Sequence, residues 1–66
     1  MKAENFGKNL KDILDYLGMT QFDLAQRTGL TPASISQIIS GLRDPNLITI
    51  VKILNAIPVS FERLVK

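Results

Sequence analysis

Glycines at positions 18, 29 and 41 lie eleven and twelve residues apart, and each follows a stretch whose apolar residues recur every three or four places. A glycine at the end of an amphipathic stretch suits a left-handed C-terminal cap, because it lacks the Cβ that makes positive φ costly. The spacing therefore predicts short helices joined by tight turns. The chain has 66 residues and is read as one domain, residues 1–66, that buries about 60% of the surface its unfolded form exposes. No cysteine is present to staple it, so stability must come from well-packed aliphatic helices or from a second subunit.

Ala3, Phe6, Leu10, Ile13, Leu14 and Leu17 form one stripe of a first helix over about residues 3–17, with Lys8, Lys11, Asp12 and Asp15 outside it. Thr20-Gln21-Phe22-Asp23 announces the second helix. The threonine hydroxyl can cap the third helical amide, Asp23 can answer it, and Leu24, Ala25 and Thr28 turn inward. Only Leu30 separates Gly29 from Thr31-Pro32, a capping residue followed by proline at the first helical position, where its missing N–H costs nothing. The third helix runs to about Ser40, with Ile35, Ile38 and Ile39 on one face. Ala33, Ser36, Gln37 and Ser40 spread over the opposite face, which carries no charge. Residues 41–45 read as a loop, and Asn46 caps a fourth helix expected to carry Leu47, Ile50, Val51, Leu54 and Ile57 inward until Pro58 ends it. Ser60 is expected to cap a fifth helix of a turn or two, with Phe61, Leu64 and Val65 apolar. Residues 47–54 are rich in strand-favouring types, but a lone strand has nothing to pair with here. The fold class is all-α, with five helices.

The chain has no histidine and no cysteine, which removes thiolate and imidazole zinc sites, cysteine nucleophiles and every Ser-His or Cys-His pair. Asp12 and Asp15, or Asp23 and Asp44, are paired carboxylates by sequence alone and read as solvated helix faces. No catalytic residue, cofactor or metal is expected. The apolar runs are far shorter than the roughly 20 residues that cross a bilayer, and the start Met1-Lys2-Ala3-Glu4 leads into no signal-peptide core. The chain is thus expected to be soluble and cytoplasmic, with no membrane partner. A net charge of +2 permits nucleic-acid binding without arguing for it.

Function is written most clearly at the join of the second and third helices. Two helices connected so tightly cross steeply, leaving the second on the surface with its first turn projecting. The major groove of B-DNA admits one helix, and the small residues Pro32, Ala33 and Ser34 let the backbone approach base edges. Residues 19–31, Met19-Thr20-Gln21-Phe22-Asp23-Leu24-Ala25-Gln26-Arg27-Thr28-Gly29-Leu30-Thr31, with Ser34-Ile35-Ser36-Gln37-Ile38 after them, resemble the helix-turn-helix run of the Cro and phage-repressor (XRE) family. Gly41-Leu42-Arg43-Asp44-Pro45-Asn46-Leu47-Ile48-Thr49-Ile50 is similar to that family's next segment, and Val59-Ser60 to the pair before its fifth helix. The resemblance spans about residues 6–64 and implies a lambda-repressor-like domain, with the helix-turn-helix at about residues 20–40.

It also implies a sequence-specific transcriptional regulator of repressor or controller type, with double-stranded DNA as partner. By the resemblance Gln21 touches a phosphate, aided by the positive end of its helix; the alternative is a neighbour of the capping box. Gln37 reaches a base edge, since its amide can pair both ways with adenine, and Ala33 packs on a thymine methyl. Thr31, Pro32, Ser34, Ser36 and Ser40 complete the DNA-facing set, although serine is also a common solvated filler. Arg43 lies on phosphate or in the minor groove, or else pairs locally with Asp44.

The family often places an arginine where this chain has Leu14 and a glutamate where it has Ile39, joined as a partly buried ion pair. Both are aliphatic here, and replacing both members of such a pair avoids stranding a charge, so Leu14 and Ile39 are expected to touch. The third helix offers the groove no arginine, lysine or asparagine, so readout rests on Gln37, the serines, apolar contacts and DNA shape. A domain this small with few phosphate contacts calls for a two-fold homodimer on half-sites one helical turn apart. Val59, Phe61, Leu64 and Val65 are the expected interface, with Leu42 and Ile48 extending it; the bland reading is that they cap the core. The competing function is a protein-interaction module or antitoxin that keeps the fold and turns the uncharged face to another protein.

Overall fold

The computed structural model describes residues 5–66, and all regular structure among them is helical: α1 (Phe6–Leu17), α2 (Gln21–Thr28), α3 (Pro32–Ser40), α4 (Leu47–Ala56) and α5 (Phe61–Val65). Side-chain caps fix three of the starts. Thr20 Oγ1 accepts the Asp23 N–H at 3.0 Å and Asp23 Oδ2 accepts the Thr20 N–H at 3.0 Å, a complete capping box. Thr31 Oγ1 accepts the Ser34 N–H at 3.1 Å behind Pro32, and Asn46 Oδ1 accepts the Thr49 N–H at 2.8 Å. Each such cap stabilises its helix by about 1 kcal/mol. Ser60 departs from expectation: it occupies the cap position of α5 but makes no capping hydrogen bond. The first helix begins at Phe6, after Asn5, which likewise makes no side-chain cap; Ala3 lies outside the described residues.

Gly18, Gly29 and Gly41 end α1, α2 and α3 in the left-handed region, as their spacing predicted. After α3 the reversal is fixed further by the Leu42 N–H, which donates to the Gln37 carbonyl at 2.9 Å, the long-range bond of a glycine-closed helix end.

Phe6, Leu10 and Leu14 of α1 meet Leu24, Ile35, Ile53 and Leu64, one or more from every other helix, in a fully buried core. α3 packs on both α1 and α2, α4 on α2, and α5 on α1. Each core side chain contributes roughly 1.5–3 kcal/mol of burial. Leu14 is buried, and the half-buried Ile39 packs against the same cluster. The inward face of α4 differs from the one expected. Ile50, Ile53 and Ile57 are buried, Leu54 is half-buried, and Leu47 and Val51 are exposed, Leu47 at 75%. The reason is the sequence of α4, LITIVKILNA: seven of its ten residues are apolar, so its hydrophobic stripe is too broad to fix which part turns inward, and α2 is the helix it packs on.

Polar side chains close the remaining seams. Asn9 Nδ2 donates to the Leu64 carbonyl at 2.9 Å, tying α1 to the last turn of the chain. Leu64 itself has no exposed surface, so it is a core residue and leaves the set expected at a dimer interface.

The tightest approach is at Gly7, buried in the first turn of α1. A Cβ there would fall on the carbonyl oxygens of Ile38 and Ile39 at the end of α3, 2.6 Å from the latter. Replacing a helical glycine by alanine gains at most about 1 kcal/mol in propensity. Overpacking against backbone costs about 1–3 kcal/mol, because carbonyls cannot rotate aside as a side chain can. Gly7→Ala should therefore lower the melting temperature, and an equal or higher value would contradict the close crossing of α1 and α3.

Candidate nucleic-acid interface

The turn between α2 and α3 is built around one buried hydroxyl. Thr28 Oγ1 donates toward the Leu24 carbonyl at 2.8 Å and the Ala25 carbonyl at 3.2 Å, and accepts the Leu30 N–H at 3.3 Å. Thr28 was legible as inward-facing, but this bridging was not, because threonine at the end of a helix carries no distinct local signal. Gly29, at φ 75°, then reverses the chain in a way that a side chain would strain. Leu30 is half-buried and packs on the core, so the turn is anchored on both sides.

This anchoring presents α3 outward. Ile35 and Ile38 are buried behind it, while Ala33, Ser36, Gln37 and Ser40 are all exposed, as are Thr31 and Pro32 at its start. Ala33, Ser36, Gln37 and Ser40 thus share the outer face of α3, whereas Ser34 and Gln21 are less open. Ser34 is half-buried, its hydroxyl accepting from Thr31 Oγ1 at 2.9 Å and from Arg43 Nη1 at 3.4 Å. Gln21, at the first position of α2, is half-buried too. Arg43 is exposed, and its backbone N–H, with that of Leu42, is gathered by the Gln37 carbonyl. The local Arg43–Asp44 pair does not form: the ion pairs among the described residues are Lys11–Asp15 and Lys66–Glu62.

The α3 face is neutral, and positive charge adjoins its C-terminal end in Arg43 and Lys8, both exposed. Three of the described acidic residues have separate local settings. Asp15 pairs with Lys11, Asp23 closes the capping box, and Asp44 sits in the loop after α3. Among the described residues no group of three His, Cys, Asp or Glu is placed to hold a metal ion, and no helix is long and apolar enough to cross a membrane.

Just past α3 Leu42 is exposed, and farther along the chain so are Leu47, Ile48 and Val51, while Phe61 is 40% exposed. Val59 and Val65 are half-buried and pack on the core.

The Thr20 backbone N–H and hydroxyl hold the Asp23 carboxyl below its ordinary value. A carboxylate with a depressed folded-state pKa adds stability above its unfolded-state pKa and loses it as pH falls through the folded value. Asp23→Asn should therefore melt below the wild type at neutral pH and converge with it under acid. A gap that persists unchanged at low pH would contradict the ionised capping box.

A model of the helix-turn-helix family matches residues 10–64 of the chain. Comparison with curated proteins and with solved structures gives no match.

Proposed function

The chain belongs to the helix-turn-helix family of Cro and phage-repressor type, and from that membership we propose a sequence-specific transcriptional regulator of repressor or controller type. It is a DNA-binding helix-turn-helix domain that lays α3 in the major groove, acts in the cytoplasm and works as a homodimer. The observation that carries this reading is the two-sided character of α3: Ile35 and Ile38 buried, Ala33, Ser36 and Gln37 exposed.

Gln37 is the main base reader, because its amide can donate to and accept from one adenine edge, a pairing that discriminates by about 1–3 kcal/mol. Ala33 packs on a neighbouring thymine methyl, and Ser36 and Ser40 contact bases or phosphates. Thr31, Pro32 and Ser34 shape the leading turn. Gln21 and Arg43 hold the backbone, the first at the positive end of α2 and the second through its guanidinium.

Dimerisation rests on apolar surface that the monomer leaves uncovered. Phe61, with Val59 and Val65 beside it, continues the expected interface, and the outer face of α4 adds Leu47, Ile48 and Val51. Exposed apolar side chains of this kind are a common basis for association. A two-fold pair also repeats α3 at the separation of successive major grooves.

The lack of charge on the α3 face also favours a second reading, a protein-interaction module or antitoxin. Selection from random duplex pools, read against salt, separates the two. The regulator reading expects an enriched site of two inverted half-sites about one helical turn apart, with affinity falling as salt rises, and a loss of preference at one A·T position in Gln37→Ala. Absence of any enriched sequence would overturn it in favour of the interaction module.

A further inference from the structure

Between the first turn of α1 and the loop after α3 lies a cleft of about 540 Å³, lined by Lys8, Ser40, Gly41, Arg43 and Asp44 among others. We propose that this cleft binds a phosphate of the DNA backbone, with Lys8 as its principal cation. The site rests on the regulator reading and adds to it a contact from α1, a helix otherwise assigned only to the core.

Three features converge on that assignment. First, the cleft adjoins the candidate recognition surface: Ser40 belongs both to the exposed face of α3 and to the cleft wall. α3 has nine residues, so it is about 13 Å long, close to the width of the roughly 12 Å major groove. A helix seated by that face brings its C-terminal end to the groove wall, where the phosphates run.

Second, Lys8 makes no ion pair with a carboxylate among the described residues. Lys11, three residues on, is held by Asp15 at 2.9 Å, whereas Lys8 makes no corresponding pair with Asp12 among the described ion pairs. Arg43 faces the same cleft and its guanidinium makes a long 3.4 Å bond to Ser34, so it too can turn to a phosphate. Against these stands the carboxylate of Asp44, which leaves the described lining residues a formal excess of one positive charge.

Third, the position of Lys8 is fixed relative to α3. Its neighbour Gly7 lies against the Ile38 and Ile39 carbonyls, so the backbone carrying the lysine moves with the end of the recognition helix. A contact made there orients α3 in the groove without reading sequence, as backbone contacts do.

The test uses the full chain and the duplex enriched in the selection above, with affinity measured over a series of salt concentrations. Lys8→Gln should make the slope of log affinity against log salt shallower by about 0.9 per half-site and leave base preference unchanged. Arg63→Gln, a charge removed from α5, should keep the wild-type slope. A wild-type slope in Lys8→Gln, or an equal change in both variants, overturns the phosphate site alone. A wild-type protein with no salt-dependent affinity for any duplex overturns this site and the regulator reading together.

Discussion

The placement of α3 depends on the absence of a side chain at Gly7. With only hydrogen on that Cα, α1 comes against the Ile38 and Ile39 carbonyls, and the aliphatic residues of the two helices close over one core. A helix that must offer base edges its outer face needs its inner face held to within a fraction of an ångström, because a bidentate amide contact tolerates little displacement. Backbone against backbone gives that rigidity more directly than a layer of side chains, which can change rotamer.

Local chemistry made much of this legible in the sequence. Thr20, Thr31 and Asn46 cap helices because their side chains reach amides three residues on, and the closing glycines mark ends for reasons internal to each turn. The outer face of α3 was legible as well, since isoleucines and small polar residues alternate at helical spacing. What could not be read depends on partners distant in the chain. Gly7 is explained by residues at 38 and 39, and Asn9 by the carbonyl of Leu64. The phase of α4 was ambiguous because seven of its ten residues are apolar, so Leu47 and Val51 were expected inside and Ile53 was not. Leu64 looked surplus to a short helix, yet α5 folds back on α1 and buries it completely.

The arrangement separates two tasks that many DNA-binding helices combine. Charge sits at the C-terminal edge of α3, in Arg43 and Lys8, and the helix itself carries only polar uncharged and apolar groups. In the proposed regulator, affinity that depends on salt comes from that edge, and discrimination comes from Gln37 and Ala33. In the same proposal, the uncovered apolar surface on α4 and α5 is where a second copy would pair.

The central claim is that the exposed face of α3 meets base edges while α1 holds it from behind. Nuclear Overhauser contacts in the protein–duplex complex test it most directly. Contacts are expected from the Gln37 side-chain amide and the Ala33 methyl to major-groove base protons. Undisturbed Ala33 and Gln37 signals in a saturated complex, with the duplex contacting another surface, would contradict it.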